Sequence, residues 1–366
     1  MDKNLHIIIA GGGTGGHLFP AIAIGEAIIQ HAPKSHIQYL GSQFGIEANV
    51  LPVKSLPHSL LPIRGLNRSI TFKSFAQNLI LPFRLFASIK RTRKLFDELT
   101  PDIVIGTGGY ASAIPIREAI KRKIPLVIQE QNLLPGLTTK MFSDKASRVC
   151  VAFPESAEYF KNEVFVTGNP VRIGIQNGDR KRAAQRFNLN EGKKTIFLFG
   201  GSQGSRALNR LMELSVDELS EDGFQILWQT GPQKSDRYKK NEKESVRIKS
   251  FIYDMADAYS ISDLIISRSG ALTLSEITLC GKASILIPFP HAAADHQTIN
   301  AKALSEANAA VLIPEHNLTA GKLIEEATAL LNDEDRLTKM AQNSKSLGKP
   351  DATEVIVNHI LDVARS

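Results

Sequence analysis

Two doubly wound α/β domains, each a parallel sheet covered by helices on both faces, are what this 366-residue sequence predicts. Three observations carry the prediction. Short β-branched runs alternate with helix-length segments along the whole chain, and strands that are apolar throughout belong to parallel sheets buried on both sides. A buried strand that runs into a glycine loop and opens a helix recurs at IIIAGGGTGGH, IVIGTGGYAS and IFLFGGSQGSRALN. The pattern breaks at TGNPVRIG (167–174), where Gly, Asn and Pro mark a junction.

Taken in order, the runs at 5–10, 36–40, 102–106, 126–129 and 148–152 are the strands of a first domain, 1–170. Those at 195–199, 225–229, 246–249, 263–267, 284–288 and 310–314 belong to a second, 171–349. The segment PDATEVIVNHILDVAR has Pro at a first helical position and apolar residues at helical spacing. It predicts an amphipathic helix over 350–366 that packs back on the first domain. Ligands of such sheets sit at the carboxyl ends of the strands, so the two domains are expected to face a cleft.

A hydrophobic fraction of 43% and a charged fraction of 22% describe a globular protein. No run reaches the roughly 18 apolar residues of a membrane span, and no signal peptide is visible. Cys150 and Cys280 lie in apolar surroundings and read as buried thiols in a reducing compartment. The net charge of +7 is unevenly spread: residues 1–170 hold 19 Lys and Arg against 12 Asp and Glu, whereas the remainder balances at 25 each. A basic half fits nucleic acid, anionic lipid or an acidic substrate. Without any RNA- or DNA-binding motif, nucleic acid is excluded.

GGGTGG (11–16) matches the dinucleotide fingerprint literally, but that fingerprint wants an acidic residue closing the second strand. Here HIQYLGS ends without one, and the next carboxylate is Glu47. GGSQGSR (200–206) lacks the Gly-Lys-Ser/Thr of a phosphate-binding loop. It does contain G-x-S-x-G, which leaves a serine hydrolase open, with Ser202, Asp263 and His296 in chain order. A glycine loop alone can be a tight turn; three at one topological position offer unpaired N–H groups at helix N-termini to anionic or polar ligands.

Together, GGGTGGHLFPAIAI, GTGGYAS, QEQNLLPGLTTK, TGNPVR, GGSQGSRALN, SRSGALTLSE and PHAAADHQTINA resemble the MurG family of bacterial cell-wall transferases from the first strand to the last helix. The resemblance implies a GT-B fold of two Rossmann-like domains. It implies UDP-N-acetylglucosamine as donor and lipid I, the undecaprenyl-linked muramyl-peptide, as acceptor. The product is then lipid II, through a β-1,4 linkage formed with inversion at the C4 hydroxyl. A UDP-sugar-binding protein without catalysis is the other reading of the same motifs.

His17, at the start of a helix where neutral imidazole is favoured, is expected to be the general base, with Thr14, Gly15 and Gly16 shaping the sugar site; otherwise it caps its helix. By the same resemblance, Tyr110 and Glu130 line the acceptor side. Gln129 and Thr139 depart from it, since His is expected before EQN and Asn after GLT. The N–H groups of Ala271, Leu272 and Thr273 would face the diphosphate, with Leu274 and Ser275 in the same turn and Glu276 accepting the ribose hydroxyls. Thr273 and Glu276 also have the spacing of a capping box. Ser202 and Arg172 are expected at the phosphates and nucleotide, Asn132 and Gln297 at the donor sugar, and the Ile252 backbone at uracil. No metal site is required; Mg2+ enters as a diphosphate counter-ion.

The stretch 71–96 carries six bases and no acid, interleaved with aromatics. Phe72, Phe75, Leu79, Phe83 and Phe86 with Lys73, Arg84, Lys90 and Arg91 predict docking on anionic lipid, peripheral, at the cytoplasmic face of the bacterial inner membrane. The alternative is a core helix with a solvated basic face.

Overall fold

The computed structural model describes residues 4–65, 79–232, 235–292 and 295–366. They form two compact units, 1–173 with 351–366, and 174–350. The first holds a parallel seven-stranded sheet of order β3-β2-β1-β4-β5-β6-β7. Its strands are β1 His6–Ala10, β2 His36–Ser42, β3 His58–Leu61, β4 Ile103–Gly106, β5 Leu126–Glu130, β6 Arg148–Val151 and β7 Phe165–Val166. The second holds six parallel strands ordered β10-β9-β8-β11-β12-β13. These are β8 Thr195–Phe199, β9 Gln225–Gln229, β10 Val246–Lys249, β11 Leu264–Ser267, β12 Ala283–Leu286 and β13 Val311–Leu312.

Alternate residues of one strand feed two cores, because successive side chains leave opposite faces of the sheet. Ile7 and Ile9 pack with Ile24 and Ile28 of the helix Gly15–His31 and with Ile356, Val357 and Ile360 of the helix Ala352–Arg365. Ile8 and Ala10 pack on the other face with Phe96, Ile116 and Ala119. In the second unit Ile196, Leu198, Ile226 and Trp228 bury against Leu208, Met212 and Val216 of the helix Arg206–Glu221. Trp228 donates Nε1–H to Asn209 Oδ1 at 3.0 Å, which satisfies the one polar group of the ring.

The helix Ala352–Arg365 is part of the first unit. Val171, Arg172 and Ile173, expected in the second domain, belong there too. The Val171 N–H donates to Thr353 Oγ1, and that hydroxyl donates to the Val171 carbonyl. Both cysteines are free, and burial pushes both thiols up to about 12.

Asp257, buried on the helix Met255–Ile261, joins that helix to Arg180–Phe187. It accepts from Arg182 Nε at 3.0 Å and from the Asp179 N–H at 3.3 Å, with Arg186 Nε at 3.2 Å. The Arg182 hydrogen bond, ahead of its charge and that of Arg186, holds the carboxyl below its ordinary value of 3.8. A depressed folded-state value contributes stability above the unfolded value, lost as pH falls through the folded one. Asp257→Asn is therefore expected to cost about 1–3 kcal/mol at neutral pH. In urea titrations across pH, the gap to wild type closes as pH drops below about 4; a gap of constant size contradicts the assignment.

Candidate active site

The glycine loop after β1 is held by a residue that motif reasoning passed over. Glu47, fully buried at the start of the helix Glu47–Val53, accepts from the Gly13 N–H at 2.8 and 3.0 Å and from the Ser42 N–H at 2.7 Å. A Cβ on Gly12, Gly41 or Gly45 would come within 2.4 Å of this side chain, so the three glycines are the space it occupies. The carboxylate missing from the end of β2 is thus supplied five residues later, aimed at loop backbone rather than at a ribose. Tyr110 closes the other side: its hydroxyl donates to Ser42 Oγ at 3.3 Å, and burial raises it above its ordinary value.

Thr14 is the N-cap residue of Gly15–His31, and Gly15 and Gly16 open its first turn. Pro20 lacks the N–H that would bond the Gly16 carbonyl. His17 does not cap the helix. Its ring reaches across the sheet, with Nδ1 at 3.1 Å from the Thr107 carbonyl and 3.0 Å from Gln131 Oε1. Gly108 and Gly109, both at positive φ, clasp the ring; a Cβ at either would lie 2.9 or 3.0 Å from it.

Glu130 ends β5 and is buried. Its Oε1 accepts from the Asn132 backbone and side-chain N–H groups at 3.1 and 3.2 Å, and its Oε2 from the Gly136 N–H at 3.0 Å. It organises the loop 131–136, and Asn132 spends a side-chain N–H on it. The Arg172 guanidinium lies over the Phe19 ring at 4.5 Å.

In the second unit the helix Ala271–Cys280 starts at Ala271, with Gly270 as N-cap. Its first intrahelical bond is from the Leu274 N–H to the Gly270 carbonyl at 3.0 Å, which leaves the N–H groups of Ala271, Leu272 and Thr273 ahead of the ladder. Thr273 and Glu276 are no capping box, because the helix begins two residues before Thr273. Glu276, 3% exposed, accepts from the Tyr259 hydroxyl at 3.0 Å. The Ser275 hydroxyl donates back to the Ala271 carbonyl at 3.0 Å.

Ser202 lies in the loop between β8 and Arg206–Glu221. Asp263 sits at the opposite, amino-terminal edge of that sheet, just before β11, occupied by Arg180 at 3.0 Å and by the Thr195 N–H at 2.7 Å. The hydrolase triad is overturned on that geometry. The Ile252 N–H, one of the two backbone groups expected at uracil, donates to Gln229 Oε1 at 2.8 Å. Gln297 Oε1 accepts from the Phe289 N–H at 3.0 Å, leaving its amide nitrogen. Arg268, unremarked in the sequence beyond its place in SRSG, ties these loops together: it donates to the Ile287 and Pro288 carbonyls and to Ser205 Oγ, and pairs with Glu315.

The helix Leu81–Leu99 turns Ser88, Thr92 and Phe96 inward. Phe83 and Phe86 are 78% and 72% exposed, with Leu79, Ile80 and Leu85 also exposed. Phe83 and Phe86 therefore lie on the outer face of the helix, whereas Phe96 lies in the core. Arg84 stacks over Phe44, and Lys90 and Arg91 are exposed. Phe72, Lys73 and Phe75 lie outside the described residues. Among the described residues, no helix is long and apolar enough to cross a membrane, and no cluster of His, Cys, Asp and Glu has metal-binding geometry. A cavity of about 960 Å³ bordered by His6, His36 and Pro101 opens at the amino-terminal edge of the first sheet, and its lining does not include His17, Tyr110 or Glu130.

The glycosyltransferase family 28 N-terminal domain matches residues 7–151 and its C-terminal domain matches 195–356. Two parallel α/β units with glycine loops and helix N-termini at their carboxyl edges, matched in this order, define a hexosyltransferase of the GT-B fold. The chain is 40% identical over 98% of each chain to the UDP-N-acetylglucosamine–N-acetylmuramyl-(pentapeptide) pyrophosphoryl-undecaprenol N-acetylglucosamine transferase of Christiangramia forsetii. It is 35% identical to the protein of that name from Listeria monocytogenes, over 99% of this chain and all of the other. The crystal structure of Acinetobacter baumannii MurG superposes with a TM-score of 0.73 at 29% identity, covering 98% of this chain and 99% of that one. The chain belongs to the MurG family.

Proposed function

We propose that this protein transfers N-acetylglucosamine from UDP-N-acetylglucosamine to the C4 hydroxyl of the muramyl sugar of lipid I, giving lipid II and UDP. Family membership over nearly the whole chain supports the substrates. The observation that carries the chemistry is His17, whose Nδ1 faces two oxygens and whose Nε2 makes no hydrogen bond among the described residues. The acceptor oxygen attacks C1 of the donor sugar from the face opposite UDP. Its proton passes to His17 Nε2, the bond from C1 to the diphosphate oxygen breaks, and the configuration inverts.

The N–H groups of Ala271, Leu272 and Thr273 meet the charge growing on the leaving diphosphate, and Ser202 adds a hydroxyl. Glu276 takes the ribose, the Ile252 carbonyl takes uracil N3–H, and Gln297 and Asn132 hold the donor sugar. Arg172 contributes positive charge near the nucleotide. Tyr110, Glu130, Thr14, Gly15 and Gly16 shape the acceptor side. Mg2+ accompanies the diphosphate as a counter-ion. The test is UDP release by purified protein with and without a short-chain lipid I analogue: release that depends on the analogue is expected, and donor binding without release in its presence overturns the reading.

The exposed face of Leu81–Leu99 supports peripheral docking on the cytoplasmic face of the bacterial membrane, aromatics at the interface and Arg84, Lys90 and Arg91 at anionic headgroups. Pelleting with phosphatidylglycerol vesicles is expected at low salt, falling at high salt and on Phe83→Glu with Phe86→Glu. Equal pelleting with phosphatidylcholine, or none, counts against it.

A further inference from the structure

Behind the His17 ring lies a run of three buried amides whose direction is dictated by backbone carbonyls. Asn169 Nδ2 is 3.2 Å from the Gln131 carbonyl, which can only accept, so Asn169 Oδ1 is turned to Gln129. Gln129 Nε2 donates to that oxygen at 3.2 Å, which turns Gln129 Oε1 to Gln131. Gln131 Nε2 donates to Gln129 Oε1 and, at 2.8 Å, to the Thr107 carbonyl. Only Gln131 Oε1 is left to face His17, beside the same Thr107 carbonyl. Rotating any one amide would set oxygen against oxygen or nitrogen against nitrogen in a site where Gln129, Gln131 and Asn169 are at most 4% exposed.

We infer that the chain Asn169–Gln129–Gln131 sets the tautomer of His17, holding the proton on Nδ1 and the lone pair on Nε2. Gln131 and Gln129 are then positioning residues for the base. The inference rests on the proposed role of His17. It also accounts for Gln129, where family resemblance leads one to expect histidine: an amide pinned at both ends has one polarity and no proton to gain or lose, whereas an imidazole has two tautomers.

The test is 15N NMR of the full-length protein labelled at histidine, with the His17→Ala spectrum assigning the ring. The expected wild-type signal is protonated Nδ1 and unprotonated Nε2. Gln131→Leu is expected to bring up the Nε2–H tautomer and lower kcat about tenfold to a hundredfold, with donor KM unchanged. Gln131→Glu keeps an acceptor on Nδ1, but its second oxygen meets the Thr107 carbonyl and Gln129 Oε1 and must carry a proton to donate there; in that protonated form it is expected to retain the wild-type tautomer. An Nε2–H or evenly mixed wild-type signal overturns the inference, as does Gln131→Leu with an unaltered tautomer and kcat. Should Gln131→Leu not fold, the wild-type spectrum and Gln131→Glu decide. If the tautomer follows Gln131 while His17→Ala keeps full turnover, the tautomer assignment stands and the base role falls, so the two failures are distinguishable.

Discussion

His17→Ala is expected to bind UDP-N-acetylglucosamine as the wild type does and to lose about a hundredfold to ten thousandfold in turnover, the range that a positioned general base contributes. The geometry argues for the upper part of that range. The ring is clasped by Gly108 and Gly109 and held at Nδ1 by two oxygens, so its free nitrogen has little orientational freedom to lose before it takes a proton. His17→Gln serves as the control for shape. Its amide can donate to the Thr107 carbonyl but offers no basic nitrogen, so it is expected to resemble His17→Ala in turnover and wild type in thermal stability. Steady-state kinetics with the lipid I analogue, alongside donor binding by calorimetry, separate the two quantities. Turnover within a few-fold of wild type in either variant would remove the base from the mechanism.

Glu276→Ala is expected to weaken UDP binding by about tenfold to a hundredfold, the loss of hydrogen bonds to a charged acceptor. The carboxylate is 3% exposed and steadied by the Tyr259 hydroxyl, so its direction is set before nucleotide arrives. Glu276→Gln keeps an acceptor for Tyr259 and removes only the charge; about tenfold is expected. Tyr259→Phe tests the steadying contact and is expected to fall below both. UDP affinity unchanged by Glu276→Ala would take the ribose off this residue and leave its bond to Tyr259 as a packing feature.

Most of the sheet was legible because its strands are unbroken apolar runs, and a run such as LHIIIA admits few other readings. The two strands missed are those that lack that signature. β3, HSLL, is an edge strand of four residues between prolines, with one side chain fully buried, and β7 is two residues long. Glycine loops marked the carboxyl ends of the strands, since a glycine is visible in a string of letters. The side chains that hold the loops were not. Glu47 lies 34 residues from Gly13, and Gln131 lies 114 from His17. No local period links such pairs; what brings them together is the parallel register of β2, β1, β4 and β5, which exists only in the folded sheet. Likewise the helix start at Ala271 was readable from the Gly before it, whereas the use of the Ile252 N–H by Gln229 was not.

The helix Ala352–Arg365 gives the protein an order of birth. Ile356, Val357, Ile360 and Leu361 complete a core begun by Leu5 and Ile7, so the half of the molecule that leaves the ribosome first is the half finished last. Residues 174–350 have all their own strands by the time those side chains are made. During translation the first sheet therefore waits with one apolar face only partly covered, by the helix Gly15–His31, while residues 174–350 are free to fold ahead of it. A polypeptide arrested before residue 351 would carry a second unit with all its strands and a first unit whose core lacks its closing helix.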